Sequence, residues 1–272
     1  MSITQAILPV AGLGTRFLPW TKAVPKELLP IGNEPIVALL VDECLSVGIT
    51  DICFVISHGK EMIPQYFYAD PALEAELERR GKKDALAQLR KYDNVNIHVV
   101  YQEEQLGDGH AIVQAADWVK SDTVAILFGD DLIVGPQNGL QQLCLGYERL
   151  NDPSAALLCL ENIPRDLTEQ YGIVDIDAKK TRGPMKSIKG LVEKPKPEDS
   201  PSQLGIVGKY LIPRSTFAVL ASIGKEHKGE IRLIDALKKQ LTEIPIYGYE
   251  FTGKRLDTGR PEGYREAVKE LG

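Results

Sequence analysis

Short apolar runs bounded by turn residues recur along the first 161 residues: ITQAILPV, DICFVIS, VNIHVVY, TVAILF and AALLCLE. Each has strand length and is rich in β-branched residues, so each predicts a β-strand. Between them lie segments of helical length: PIVALLVDECLSVG, the charged stretch 71–91, GHAIVQAADWV and GLQQLCLGYERL. Strand alternating with helix predicts an α/β fold with a mostly parallel sheet covered on both faces. In such sheets ligands bind outside the carboxyl ends of the strands.

Within 71–91, Leu73, Leu77, Leu86 and Leu89 supply apolar positions compatible with helical faces, and the remaining charges read as a solvated surface. Past about residue 160 the pattern shifts to shorter strands, YGIVDID, MKSIKGLVEKP and LGIVGKYLIP, with a proline-rich joint, KPKPEDSPS. Two helices are expected near the end, around IRLIDALKKQL and GRPEGYREAVKEL, separated by the strand-like IPIYGYEF and the turn GKRLDTG. The whole reads as a single domain over 1–272, with a first part to about 160 and a second part from 161 that adds a wall or lid.

Composition narrows the class. Of 272 residues, 32 are lysine or arginine and 38 aspartate or glutamate, a net charge of −6 that argues against a general nucleic-acid or anionic-membrane binder. Cys44, Cys53, Cys144 and Cys159 lie far apart in apolar surroundings, without a CxxC pair or a cysteine/histidine cluster, and read as free thiols of a reducing compartment. The opening MSITQAILPVAGLG lacks a basic n-region, and no stretch approaches the ~20 apolar residues of a membrane span, so a cytoplasmic protein is expected.

Against that acidic background the first strand opens into AGLGTRFLPWTKAVPKELLP. Gly12 and Gly14 let backbone amides approach a phosphate or a base; alone they fit a tight turn equally well, and they complete neither a P-loop nor a dinucleotide fingerprint. Arg16, Lys22 and Lys26 follow within a stretch stiffened by Pro19, Pro25 and Pro30, so a helix cannot absorb them as a solvated face. Cations on a rigid loop beside backbone donors suit a polyphosphate.

Further along, LFGDDL presents Asp130 and Asp131 after an apolar strand. Only one of them should face a given site, as a ligand for Mg²⁺ or as a helix cap or turn residue. Asp257, in RLDTGRPEGY, is read as lying in a turn, either a turn residue or part of the site. In VEKP, Glu193 and Lys194 pair a carboxylate suited to hydroxyls with a cation suited to phosphate, and a surface ion pair is the alternative. In QEEQLGDGHA, Gly107 and Gly109 precede a helix whose amides are open to an anion or a base edge. His110 reads as a structural hydrogen-bonding residue more than a general base. There is no GxSxG and no cysteine paired with a nearby histidine, which favours direct transfer to a phosphate-bearing acceptor over covalent catalysis.

Together these motifs closely resemble the bacterial UDP-glucose pyrophosphorylase family, also called UTP-glucose-1-phosphate uridylyltransferase. The resemblance runs from AILPVAGLGTRFLPWTKAVPKELLPIGNEPIV through YGIVD, GLVEKP, LGIVGKYLI and GEIRLIDAL to GKRLDTGRPEGY. It implies a Rossmann-like nucleotidyltransferase sandwich, α/β, with a mixed, mainly parallel central sheet, divided into a nucleotide-binding half to about 160 and a sugar-binding half with the C-terminal helices. It implies UTP and glucose 1-phosphate as substrates, Mg²⁺ as cofactor, and a homo-oligomer, dimer or tetramer, with no nucleic acid or membrane partner.

Laid onto this sequence, the resemblance assigns the uracil to Ala11, Gly12, Gln102 and Gly107, with Gly14 in the same nucleotide loop. Arg16 and Lys26 take the phosphates and, with Lys194, form the catalytic set. Metal falls to Asp130 and Asp257. Glu193 is implied for the glucose hydroxyls and Lys194 for the sugar phosphate, with Gly172 and Gly208 leaving room for the sugar. The implied reaction is in-line attack by glucose 1-phosphate on the α-phosphorus of UTP. Lys22 receives no role.

Three positions depart from the family pattern. Asp108 stands in GDGHA where GLGHA is usual, beside the expected base pocket, so it bears on the choice between UTP and dTTP. Trp20 and Arg232 read as changes in a loop or a subunit contact. A catalytically silent subunit of the same fold has no need for Arg16, Lys26, Asp130, Glu193 and Lys194 together, and a dehydrogenase is disfavoured by the incomplete glycine fingerprint.

Overall fold

The computed structural model describes residues 3–226 and 229–272. In chain order the strands are β1 (Gln5–Pro9), β2 (Pro30–Ile31), β3 (Glu34–Pro35), β4 (Asp51–Ile56), β5 (Asn96–Tyr101), β6 (Thr123–Leu127) and β7 (Asp131–Val134). They continue with β8 (Ala156–Asn162), β9 (Gly172–Ile176), β10 (Met185–Glu193), β11 (Leu204–Pro213), β12 (Ile246–Glu250) and β13 (Lys254–Asp257). Nine of them form one sheet in the order β5-β4-β1-β6-β11-β8-β12-β10-β9, while β7 pairs with β13 and β2 with β3.

The sheet is mixed rather than mostly parallel. Strands β5, β4, β1 and β6 pair parallel, as do β8 and β12. Strand β11 runs antiparallel to both β6 and β8, and β10 antiparallel to both β12 and β9. Between β9 and β10 the cause is local: only the short link 177–184 joins them, too little chain for a crossover helix, so they pair antiparallel. Strand β11 then drops between β6 and β8, so strands from before and after residue 160 share one sheet.

Alternation along β1 divides the core between two faces. Ala6 and Leu8 pack with Ile36 and Leu40 of the helix Ile36–Leu45 and with Leu143 of Gly139–Leu150. Ile7 faces the other way, toward Ala111 and Ile112 of Asp108–Gln114, Leu220 of Ser215–Glu226 and Leu237 of Leu233–Gln240. The stretch 71–91 folds as two helices, Pro71–Arg79 and Lys83–Leu89, broken at Gly81 with φ +65°.

Two expectations change. GKRLDTG is not a simple turn: residues 254–257 form β13, with Asp257 opposite Asp131 of β7. The partner strand lies more than a hundred residues away, so no local hairpin signal announces it. The helix Ser215–Glu226 is also not announced by the sequence, because its small and β-branched residues carry a weak helical pattern. Among the described residues no helix is long and apolar enough to cross a membrane. All four cysteines are unpaired, and burial pushes the Cys53 and Cys144 thiols up to about 12.

Candidate active site

Strand β1 ends at Pro9, and the chain leaves the carboxyl edge of the sheet as a loop of short 3₁₀ turns, with Gly14 in the left-handed region at φ +65°. A Cβ on Gly12 would meet nothing within 4 Å, so this stretch offers bare backbone to an open cleft. The loop is pinned from below. Lys60 Nζ donates to the Val10 carbonyl at 2.7 Å and to Glu27 Oε2 at 3.0 Å, and Glu27 is only 1% exposed. The Ala11 carbonyl accepts from Ser57 Oγ and from Gln105 Nε2, both at 3.0 Å.

Lys26 projects from this loop to Asp130, just past β6, with Nζ 2.7 Å from Oδ2. The Lys26 side chain is 15% exposed and that of Asp130 31%. Burial opposes both charges, but each outweighs that cost for the other: Asp130 and Glu27 raise Lys26 above its ordinary value, and Lys26 holds Asp130 below the usual carboxylate range. The Asp130 backbone is fixed as well, its carbonyl accepting from the Thr258 amide at 2.8 Å.

Asp130 and Asp257 converge on Gly259. A Cβ there would lie 2.7 Å from Asp130 Oδ2 and 3.1 Å from Asp257 Oδ1. Arg16 reaches the same turn, with Nη1 3.3 Å from the Gly259 carbonyl. Asp131 lines the same concavity but its oxygens are engaged: it is 7% exposed, accepts the Gly208 amide on Oδ2 at 2.8 Å, and meets the Arg255 guanidinium through Oδ1. Two carboxylates meeting at one glycine fit the donor set of Mg²⁺, which takes one or two protein carboxylates and completes its shell with phosphate and water. Among the described residues no group of three or more potential metal ligands gathers, so a closed all-protein cage is not formed.

At the other end of the cleft, Gln102 is buried and its Nε2 donates to the Gly107 carbonyl at 3.0 Å and lies 3.2 Å from His110 Nδ1, so His110 sits behind the pocket as a support for Gln102. Gly107 has φ +108°, and a Cβ there would strike the Ile231 carbonyl; only glycine permits this approach of the segment 229–232. Asp108 lines the cleft, yet its Oδ1 accepts the Leu233 amide at 2.8 Å and so caps the helix Leu233–Gln240 from outside. Asp108 is exposed at the cleft mouth, yet the surrounding protein desolvates its carboxyl and pushes it up to about 6, with the Leu233 and Gly109 amides working against that rise.

The VEKP motif stands where β10 ends. Glu193 ends β10 with Oε1 3.6 Å from Lys194 Nζ and 3.8 Å from Arg232 Nη1, beyond good hydrogen-bond length in both cases. Lys194 has φ +46° and an exposed side chain. The two glycines expected to make room for a sugar have protein atoms close to where a Cβ would stand. A Cβ on Gly208 would lie 2.5 Å from Asp131 Oδ2, and one on Gly172 would lie 2.6 Å from Ile234 Cδ1 and 3.3 Å from Glu193 Oε2. Arg232, read from sequence as a change in a loop or a subunit contact, lies between Glu230 and Glu193. Trp20 and Lys22 are exposed on the loop.

Three adjoining concavities of about 280, 190 and 180 Å³ share Arg16, Lys26 and Asp130 among their walls and form one channel along the carboxyl ends of β1 and β6. Sequence reasoning missed Gln105, Lys60, Glu27 and Arg255. No local signal marks Lys60 or Arg255, whose hydrogen-bonded side-chain partners lie far along the chain; Glu27, between Lys26 and the strand, is legible only as part of PKE.

A model of the nucleotidyl transferase family matches residues 5–272. The UTP–glucose-1-phosphate uridylyltransferase of Bacillus subtilis (strain 168) is 38% identical over 264 residues, covering 96% of this chain and 88% of that one. The UTP-bound UGPase from Acinetobacter baumannii superposes with a TM-score of 0.89 at 35% identity, over 99% of this chain and 93% of that one. A UDP-glucose pyrophosphorylase complexed with UDP-glucose gives a TM-score of 0.86 at 30% identity, with 98% of each chain covered.

Proposed function

The chain belongs to the nucleotidyl transferase family, and from that premise we propose that it transfers a uridylyl group from UTP to glucose 1-phosphate, giving UDP-glucose and pyrophosphate. One observation carries the reading beyond the family: Arg16, Lys26, Asp130 and Asp257, from segments far apart in sequence, meet in one channel beside the bare backbone of Gly12.

In this reading the uracil lies against Ala11, Gly12, Gln102 and Gly107, and Arg16 and Lys26 draw in the triphosphate. Glu193 accepts hydrogen bonds from glucose hydroxyls, and Lys194 holds the sugar phosphate. A phosphate oxygen of glucose 1-phosphate forms the new bond to the α-phosphorus as the bond to the departing pyrophosphate breaks in line. The phosphate monoester is already anionic near neutral pH, with a second ionisation near about 6, so no side chain has to remove a proton. Asp130 and Asp257 would hold Mg²⁺, which supplies charge neutralisation at the phosphates when bound. Lys26 aims its charge without reorganisation, because the loop and Asp130 already fix it. A homo-oligomer in the cytoplasm, as the free thiols suggest, belongs to the same proposal.

The test is to incubate the purified protein with glucose 1-phosphate and each nucleoside triphosphate, with and without Mg²⁺, and to quantify pyrophosphate and sugar nucleotide. UDP-glucose made fastest from UTP is expected. No product from any pair overturns the enzyme reading, and faster turnover with dTTP overturns the uridylyl assignment.

A further inference from the structure

We propose that Arg255 is a positioning residue for both substrates: it aims the Asp257 carboxylate toward the phosphates and fixes Tyr171, whose carbonyl holds the backbone of Lys194. The inference rests on the proposed roles of Asp257 and Lys194. Arg255 lies on β13 with its side chain 10% exposed. Its Nε meets Asp131 Oδ1, and its Nη1 reaches Glu161 Oε2 at 3.2 Å and the Tyr171 hydroxyl at 3.1 Å. The guanidinium carbon sits 5.2 Å from the centre of the Tyr171 ring. One planar fork thus joins β7, β8, β13 and the residue before β9, which a point cation cannot do.

The Asp257 oxygens differ. Oδ1 accepts the Gly259 amide at 3.0 Å, whereas Oδ2 lies 3.7 Å from Arg255 Nη2 and 3.7 Å from Arg260 Nε. Both separations exceed hydrogen-bond reach, so Oδ2 is oriented by charge while its lone pairs stay free for a ligand. On the sugar side, the Tyr171 carbonyl accepts the Lys194 amide at 3.0 Å. Lys194 holds a left-handed conformation that a non-glycine residue keeps only where its surroundings fix it. Arg255 stands between these two points, lining the concavity beside Asp257 and Tyr171, and in this proposal acts through those two residues.

The experiment compares Arg255→Lys, Tyr171→Phe and Asp257→Asn in the full chain. Circular dichroism and thermal melts report folding, calorimetry reports UTP affinity, and Mn²⁺ titration of the UTP complex reports metal affinity. For folded Arg255→Lys, kcat and Mn²⁺ affinity should each fall about 10- to 100-fold, the range for losing a residue that orients a ligand-bearing carboxylate. UTP affinity should stay within about 3-fold, since Lys26, Arg16 and the base pocket are untouched. Tyr171→Phe removes only the hydroxyl contact and should raise KM for glucose 1-phosphate roughly 10-fold with kcat less affected, which keeps the test open if Arg255→Lys fails to fold. Unchanged kcat and Mn²⁺ affinity in folded Arg255→Lys, or unchanged KM in Tyr171→Phe, overturns the inference. If Asp257→Asn is itself without effect, the underlying site assignment fails instead.

Discussion

Lys26 Nζ lies 2.7 Å from Asp130 Oδ2, although 104 positions separate the two residues. Each supports the other's charge, so the cation expected to bind phosphate and the carboxylate expected to bind metal neutralise one another until substrate arrives. The pair is therefore preorganised without being self-repelling. Lys26→Ala and Asp130→Asn should each lower turnover at least about 100-fold, the scale of losing one preorganised charge contact. Steady-state kinetics of the folded variants check this, and near-normal rates in both would place the reaction elsewhere.

Asp108 links the cleft to the helix Leu233–Gln240 through the Leu233 amide. Asp108→Leu removes that acceptor and should cost about 1 kcal/mol of stability, as loss of a helix cap does, while Asp108→Asn keeps an acceptor oxygen and should cost less. Urea melts measure the difference. Because the same segment walls the cleft beside Gly107, Asp108→Leu should also change the ratio of UTP to dTTP use in direct competition. An unchanged ratio would confine Asp108 to capping.

Gly208→Ala places a methyl 2.5 Å from Asp131 Oδ2. The contact also supplies the amide that Asp131 accepts, so strain and a lost hydrogen bond coincide. A loss of about 1–3 kcal/mol is expected, with reduced kcat because Asp131 anchors Arg255. A thermal melt and a kinetic assay on the same preparation test both parts.

The pH dependence separates substrate from protein. Asp130 sits below its ordinary value of 3.8 and Lys26 above 10.5, so the pair stays charged through neutrality. Its stabilising contribution is present above the unfolded carboxylate value and is lost as pH falls through the lower folded value; at the alkaline end it is lost as pH rises through the raised lysine value. The acid limb of kcat/KM for glucose 1-phosphate should therefore follow the second phosphate ionisation near about 6. Asp108, also pushed up to about 6, titrates in the same window. Since its raised carboxyl binds a proton more readily folded than unfolded, Asp108 favours the fold as pH falls through that window. Asp108→Asn should flatten this stability trend and leave the activity limb in place; loss of the limb in the variant would assign it to Asp108.

What the sequence by itself determined was local. The strand at 5–9, the glycine opening at Gly12 and Gly14, the cations of the following loop and the paired motif at Glu193 and Lys194 each rest on turn chemistry and side-chain alternation within a few residues. The same short-range logic anticipated that Asp130 and Asp131 diverge; both line the channel, but Asp130 meets Lys26 whereas Asp131 turns beneath Gly208 to Arg255. Tertiary structure alone decided the rest. Whether β11 lies parallel or antiparallel to its neighbours, that β13 pairs with β7, and that one guanidinium gathers Asp131, Glu161 and Tyr171 depend on contacts separated by about a hundred residues. Such contacts form only when the whole chain has buried its two apolar faces, and no few-residue pattern encodes them. The close approach of Asp131 to Gly208 has the same origin, because the space beside a glycine is filled by whichever distant side chain the completed sheet brings there.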